Sequence, residues 1–166
     1  MRLATILFVL STTAFASPLP LVSLPQMTAN GTPSGTWNMA DYKGGVFVFE
    51  FFQNFCSACN ANAANVDALA TKYKDNARVH VVDLSLDGSQ HEYQQWFTKH
   101  KPNHPVLNDS ARKVFGVLDH QGVIPQTFVI DCNGTVLTST VDVWDQTTLS
   151  QIDGAVAEGL QAVCEI

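Results

Sequence analysis

The pattern of apolar and polar positions predicts alternating strands and helices. The unbroken β-branched and aromatic run Val46 to Phe52 is typical of a central strand that is buried on both faces. Ala58 to Lys74 carries apolar residues at helical spacing, and Arg78 to Leu84 is predicted as the next strand. The remaining predicted elements are a helix at Glu92 to Lys99, a short helix from Ser110 to Phe115, strands Pro125 to Ile130 and Thr135 to Val141 joined by a turn at Asn133-Gly134, and a helix from Thr147 to Val163. This order predicts a mixed sheet with helices on both faces.

The first 16 residues have the outline of a signal peptide. The apolar run Leu3 to Phe15 follows a single basic residue, Arg2, and small residues occupy positions −3 and −1 of a cut before Ser17. A retained membrane anchor is the alternative, but a bilayer span needs about 20 apolar residues. We expect a signal peptide at 1–16, an N-terminal extension at 17–44 with short strands, and the main domain at 45–166. No stable membrane span is expected after removal of the signal.

Composition excludes several classes of function. Hydrophobic residues make up 46% of the chain and charged residues 14%, which is too apolar for a disordered protein. Removal of Arg2 with the signal takes the formal net charge from −6 to −7. The remaining basic residues are scattered singly and form no stripe, which argues against nucleic acid as a partner. The exported part contains all four cysteines, an even number that is compatible with disulfides.

Cys56 and Cys59 lie at the junction between the buried strand and the helix that follows it. A helix N-terminus offers partial positive charge and free N–H groups, which favour the thiolate, the reactive form of cysteine. We therefore assign Cys56 as the nucleophile and Cys59, one turn into the helix, as the thiol that resolves a mixed disulfide. Half of a zinc site and a purely structural disulfide are the alternative interpretations of this spacing.

The sequence around this pair resembles a known family. The segment Phe49 to Cys59 resembles the active-site strand and turn of thioredoxins. Leu21 to Val163 as a whole resembles the exported thioredoxin-like proteins of the TlpA/ResA type, with a similar lead-in at Asp41 to Gly44 and a similar G-x-P-x-T-F-x-I-D segment at Gly122 to Asp131. The resemblance implies a thioredoxin fold: an α/β domain with a central mixed sheet flanked by helices and an N-terminal strand or hairpin extension. It also implies thiol–disulfide oxidoreductase activity on other exported proteins.

The resemblance also assigns roles to residues. It makes Pro125 the cis-proline beside the cysteine pair, with the peptide group of Ile124 free to bind a substrate backbone. We assign Phe55, Ile124 and Pro125 to substrate binding. Glu50, six positions before Cys56, stands where thioredoxins carry a buried acid that shuttles the proton of the second cysteine. Burial among phenylalanines should raise its pKa.

Three positions depart from the thioredoxin pattern. Phe55 replaces the usual tryptophan, Asn60 replaces a common basic residue after the second cysteine, and Ala64 stands where many thioredoxins have a proline. Asn60 in particular removes one source of thiolate stabilisation. These departures leave the redox potential and the direction of electron flow open.

Cys132 and Cys164 form the second candidate pair. Cys132 follows a predicted strand and Cys164 follows the last predicted helix, so the two ends can meet in this topology. A structural disulfide here would fasten the C-terminal helix, while two separate buried thiols are the alternative.

Two rival functions remain for the same fold. A copper-binding metallochaperone would use Cys56, Cys59 and His120, and a thiol peroxidase would use Cys56. No proline and threonine precede Cys56 at the spacing of a peroxidase. We expect no metal and no cofactor besides the redox-active Cys56–Cys59 disulfide. The expected partners are thiols and disulfides of exported proteins and a protein that reduces or oxidises the pair, in the periplasm or in the secreted medium.

Overall fold

The computed structural model describes residues 18–118 and 121–164; the predicted signal peptide at 1–16 and His120 lie outside this part of the chain. Twelve elements follow one another in the described residues. The strands are β1 (Ser23–Met27), β2 (Pro33–Asn38), β3 (Val46–Phe52), β4 (Val79–Ser85), β5 (Val106–Asn108), β6 (Gln126–Ile130) and β7 (Val136–Val141). The helices are a 3₁₀ turn at Met39–Asp41 and α1 (Ser57–Tyr73), α2 (Gln90–His100), α3 (Phe115–Leu118) and α4 (Gln146–Gly159).

The strands form one mixed sheet in the order β2-β1-β5-β4-β3-β6-β7. β3 lies in its interior, parallel to β4 on one side and antiparallel to β6 on the other. All seven residues of β3 are buried, which confirms the central strand predicted from its apolar run. The predicted mixed sheet is therefore confirmed.

Alternate residues of β3 face two different cores. Phe47, Phe49 and Phe51 pack with Trp37 of β2 and with Phe115 of α3 in one hydrophobic cluster. On the opposite face, one cluster joins β3 to α1 and α4, and another joins its end to α1 and α2. Since side chains alternate along a strand, Glu50 points to this second face, beneath α1.

The N-terminal extension is continuous with the sheet. β1 and β2 form an antiparallel hairpin, and β1 also pairs with β5 through Gln26 and Leu107. The predicted N-terminal strands are thus present, as part of the same sheet.

The segment between α2 and β6 differs from the prediction. β5 was not predicted, since it has only three residues and follows Pro105 directly. The short helix begins at Phe115, where the predicted one was expected to end. The reason is Asp109, whose carboxylate accepts hydrogen bonds from the backbone N–H groups of Lys113, Val114 and Phe115. Asp109 therefore organises this turn, and Ser110 does not cap a helix there.

The last helix is also shorter than predicted. α4 ends at Gly159, and tighter turns follow, in which Gln161 N–H donates to the Glu158 carbonyl and Ala162 N–H donates to the Gly159 carbonyl. Gly159 lies so close to Val46 that a side chain at this position would crowd β3. Val163, expected on the buried face of the helix, lies beyond it and is 87% exposed.

Candidate active site

Cys56 and Cys59 lie where the loop after β3 enters α1, and they are joined by a disulfide with the Cα atoms 5.2 Å apart. Cys56 is the N-cap residue of α1, and its Sγ accepts a hydrogen bond from the backbone N–H of Cys59, 3.1 Å away. Cys56 is half-buried, whereas Cys59 is fully buried. An incoming thiol or disulfide can therefore reach only the first sulfur, and a thiolate there would be held by the helix N-terminus.

The peptide bond between Ile124 and Pro125 is cis, as predicted from the sequence. The carbonyl oxygen of Ile124 lies 3.7 Å from Cys56 Sγ. Pro125 itself is buried, Ile124 is half-buried, and the neighbouring Val123 is exposed. Phe55, the residue before Cys56, exposes 75% of its surface. Exposed and half-buried apolar residues therefore lie next to the accessible sulfur in the chain and in space.

Asn60 organises the loop that carries Cys56. Its side-chain amide donates to the carbonyl oxygens of Asn54 and Cys56, each at 2.8 Å. Its own oxygen accepts from Lys99 Nζ at 2.6 Å and lies 2.8 Å from His100 Nε2. Two basic side chains of α2 thus reach the site through Asn60. The sequence shows only that Asn60 replaces a basic residue, because nothing local indicates that the end of α2 lies against the start of α1.

Glu50 is the buried acid of the site, and the residue is only 3% exposed. Asn62 of α1 donates a hydrogen bond to Glu50 Oε2 at 3.0 Å. Asn62 follows Cys59 by three positions and is likewise fully buried, so both lie on the same face of α1, toward Glu50. Burial and the neighbouring carboxylate of Asp83 raise the pKa of Glu50 well above its usual value. The predicted direction of this pKa shift is confirmed.

The orientation of Asn62 is fixed by its other contacts. Its side-chain oxygen accepts from the backbone N–H of Trp144 at 3.0 Å and from the side-chain amide of Asn65 at 2.9 Å. The amide nitrogen is therefore the group left to face Glu50. Asn62 was missed in the sequence, where it is one of several polar residues in an alanine-rich helix.

The second disulfide joins Cys132 to Cys164, with their Cα atoms 5.6 Å apart. It lies beyond the end of β6 that is remote from Pro125. Both cysteines are half-buried. They border a cavity of about 230 Å³ together with Leu21, Met39 and Tyr42. Val163, next to Cys164, is exposed to solvent because α4 has already ended.

No group of three or more histidine, cysteine or carboxylate side chains within residues 18–118 and 121–164 is arranged to hold a metal ion. His120, the third ligand of the copper alternative, lies outside the described residues. Within the same ranges, no helix is long and apolar enough to cross a membrane.

Comparison with known proteins places the chain in a family. The model of the AhpC/TSA family matches residues 20–139, and the chain belongs to this family. The thiol–disulfide oxidoreductase ResA of Bacillus cereus is 26% identical over 117 residues, which cover 70% of this chain. The match spans 64% of that relative's length.

Solved structures show the same fold. A candidate thiol:disulfide interchange protein DsbE of Chlorobium tepidum superimposes with a TM-score of 0.73 at 20% identity, over 90% of this chain and 99% of that one. A secreted disulfide oxidoreductase of Mycobacterium tuberculosis, homologous to DsbE of E. coli, gives 0.62 at 21% identity, over 81% and 94%. The chain therefore has the thioredoxin fold that the sequence predicted.

Proposed function

We propose that this protein is a thiol–disulfide oxidoreductase that exchanges disulfides with other exported proteins through Cys56 and Cys59. One observation carries the proposal: the Cys56–Cys59 disulfide caps the N-terminus of α1, beside the cis peptide bond before Pro125. A thiolate at Cys56 would receive the Cys59 N–H bond and the field of the helix, so it would be both stable and accessible. Membership of the AhpC/TSA family and the likeness to ResA support the same reaction.

Reduction of a substrate proceeds in two exchanges. The Cys56 thiolate attacks a substrate disulfide, a bond forms between Cys56 and one substrate sulfur, and the other leaves as a thiolate that water protonates. Cys59 then gives its proton to the Glu50 carboxylate and attacks Cys56 Sγ. The Cys56–Cys59 disulfide forms, and the second substrate thiolate leaves. The substrate gains two electrons, the protein loses two, and the reverse sequence oxidises a dithiol.

Glu50 suits the proton transfer in either direction. It lies beneath α1, where burial and the neighbouring Asp83 raise its pKa and so favour its protonated form. When the disulfide opens, the buried Cys59 leaves as a thiolate in a medium with little water, and Glu50 is the acid available to it. The site thus avoids a bare thiolate in the core, which burial would disfavour.

Substrate binding is proposed for Phe55, Ile124 and Pro125. Phe55 and Ile124 border the accessible sulfur, and the backbone at Ile124 approaches it within 3.7 Å. An extended substrate segment that paired with this backbone would place its own disulfide against Cys56. The apolar border favours unfolded or flexible segments, which expose hydrophobic side chains.

Export is supported by the signal-like first 16 residues and by the second disulfide, Cys132–Cys164. Stable disulfides are typical of oxidising compartments. We propose a periplasmic or secreted location and a partner protein there that resets the oxidation state of Cys56 and Cys59. No feature of the described site favours copper binding or peroxidase activity over disulfide exchange.

Insulin reduction in the presence of dithiothreitol tests the proposal. Wild-type protein should accelerate precipitation of the insulin B chain, and the Cys56→Ala/Cys59→Ala double variant should not. Cys132→Ser/Cys164→Ser is the matched control, since it also removes one disulfide, and it should remain active. Parallel assays of hydrogen peroxide consumption and Cu(I) binding cover the rival functions. A wild-type protein inactive on insulin but active in either of these assays would overturn the proposal.

A further inference from the structure

Two acids lie side by side beneath the cysteine pair. Glu50 of β3 and Asp83 of β4 are register partners on adjacent parallel strands, so their side chains point to the same face. Each is 3% exposed. The charge of Asp83 at this place disfavours ionisation of Glu50, and a cation close by favours it. The charges around the pair therefore decide how readily Glu50 ionises.

His104 supplies the cation. Its side chain is 4% exposed, with Nε2 3.0 Å from Asp83 Oδ2 and Nδ1 3.2 Å from Asp67 Oδ1. Each ring nitrogen thus lies within ion-pair distance of a carboxylate oxygen, and only the protonated ring has a hydrogen on both nitrogens. The Nε2 contact does not meet hydrogen-bond geometry, and Nδ1 also lies 3.3 Å from Asn103 Oδ1. Burial lowers the pKa of His104, but the two carboxylates outweigh burial and raise it to about 10.

The cluster runs from the core to the surface. Asp67 belongs to α1, its side chain is 26% exposed, and it also accepts a hydrogen bond from the backbone N–H of Asn103 at 3.1 Å. His104 itself lines a cavity of about 260 Å³ together with Asn103 and Tyr73. Asp83, His104 and Asp67 therefore form a series of ionisable groups that runs from the register partner of Glu50 to the surface.

We propose that Asp83 and His104 are positioning residues for the proton transfer between Glu50 and Cys59. His104 lies against Asp83, which is the register partner of Glu50, and the opposed effects of these two groups on Glu50 together set the pH at which Glu50 accepts the proton. The inference rests on the proposed oxidoreductase function and names the groups that regulate its proton step. Proton balance is unchanged: Cys59 loses one proton, Glu50 gains it, and Glu50 later releases it to solvent.

The other groups around Glu50 do not replace this pair. From β6, Thr127 is the register partner of Glu50 and carries no charge. From α1, Asn62 donates a hydrogen bond, Cys59 is the proton's source, and Asp67 faces His104. From α2, His100 feels Asp83 and Asp67, but burial lowers its pKa. Within the described residues, His104 is therefore the cation that the buried acids share.

The test compares two variants for which the proposal predicts opposite shifts in the pH dependence of resolution. His104→Gln removes the cation, so Glu50 holds its proton more tightly. The pH midpoint, at which the mixed disulfide is resolved at half its maximal rate, then rises by about one unit or more. At neutral pH that shift makes resolution roughly tenfold slower. Asp83→Asn removes the negative charge beside Glu50, so the midpoint falls by a similar amount. The rate of resolution is measured by stopped flow from pH 5 to 10 with a preformed mixed disulfide at Cys56.

His80→Gln is the matched control. His80 lines the same cavity, but its ring packs on Tyr42 and Phe47, in the core on the other face of the sheet, and it should not move the midpoint. A purely structural role for His104 and Asp83 predicts lower melting temperatures with an unmoved midpoint, and this would overturn the inference. Shifts of both variants in the same direction would overturn it as well.

A measurement on the unmodified protein covers the case in which either variant fails to fold. Nitrogen-15 NMR of the histidine rings should show both nitrogens of His104 protonated at pH 8, in keeping with a pKa raised to about 10. A neutral His104 ring at pH 7 would overturn the inference. This readout does not depend on activity, whereas failure of the wild-type protein to exchange disulfides would count against the proposed function alone.

Discussion

The two disulfides occupy opposite ends of the same sheet. Cys56–Cys59 closes a ring over a separation of 3 residues at the start of α1, while Cys132–Cys164 spans 32 residues and fastens the chain end to the end of β6. Around the first pair lie a helix N-terminus, the cis-proline loop and a buried acid. Around the second lie Leu21, Met39, Tyr42 and Lys43.

The difference shows that surroundings, more than the bond itself, assign each pair its role. The thiolate of Cys56 would be held by the Cys59 N–H group at a helix N-terminus, and the face of α1 that carries Cys59 also carries Asn62, which binds Glu50. Neither Cys132 nor Cys164 lies at the N-terminus of a described helix, although Lys43 lines the same cavity as the two sulfurs. Since exchange rates depend on thiolate stability, the first pair should cycle and the second should persist.

Replacement of the accessible cysteine should have the largest effect. Cys56→Ala should lower disulfide exchange by at least about a thousandfold, because the nucleophile is lost. Cys59→Ala should keep the first attack and accumulate a mixed disulfide with the substrate, which non-reducing gel electrophoresis detects. Accumulation of such an adduct on Cys56→Ala instead would reverse the two roles.

Glu50→Gln should slow resolution by roughly a hundredfold at neutral pH while the first attack changes little. Glu50 accepts a proton only when ionised, and its pKa is raised by burial, so the wild-type rate should climb as the pH increases. The variant's rate should lose this rise. Stopped-flow rates at several pH values provide the measurement, and identical profiles for the two proteins would reduce Glu50 to a structural residue.

The same substitution has a stability counterpart. A raised pKa in the folded state means that ionisation of Glu50 costs folding free energy as the pH rises above the unfolded-state pKa. Glu50→Gln should therefore unfold in urea at a higher midpoint than the wild type at pH 8, and the gain should shrink toward pH 4. A loss of stability at both pH values would show that the carboxylate is ionised and well paired.

Removal of the second disulfide should leave exchange intact and reduce stability. Cys132→Ser/Cys164→Ser lifts a constraint over 32 residues on the unfolded chain, worth about 3–4 kcal/mol in the chain-entropy account. Urea unfolding should show this loss, and the insulin assay should remain within about twofold of wild type. A loss of exchange in a variant that remains folded would break the division of roles between the two disulfides.

Asn60→Ala should have the smallest effect. It removes the two bonds to the carbonyl oxygens of Asn54 and Cys56 and the link to Lys99. The lost hydrogen bonds are worth about 1 kcal/mol net, and a barrier higher by this amount makes the attack by Cys56 roughly fivefold slower. Alkylation of Cys56 as a function of pH measures the change, with Lys72→Ala, at the far end of the same helix, as the control.

The sequence predicted the parts of the site that depend on local pattern. The cis bond before Pro125 is implied by the family resemblance, while the buried run of β3 and the position of Cys56 and Cys59 at a helix start follow from short segments alone. The same holds for the turn at Asn133-Gly134, where Gly134 adopts a φ of 80°. Each of these signals lies within about ten residues of chain.

The missed features depend on contacts between distant segments. The pairing of Glu50 with Asp83 is set by the register of two strands, and His104 reaches them from a loop that contains no periodic pattern. Lys99 meets Asn60 only because α2 packs beside the start of α1. The early end of α4 follows from the close approach of Gly159 to Val46, which no helical pattern reveals.

Differential thiol labelling of the folded protein tests the central claim most directly. The protein is equilibrated in a mildly reducing glutathione buffer, quenched with acid, alkylated and mapped by mass spectrometry. The account predicts alkylation of Cys56 and Cys59, with Cys132 and Cys164 still joined until the protein is unfolded with reductant. Alkylation of Cys132 and Cys164 before or together with the first pair in folded protein would contradict it.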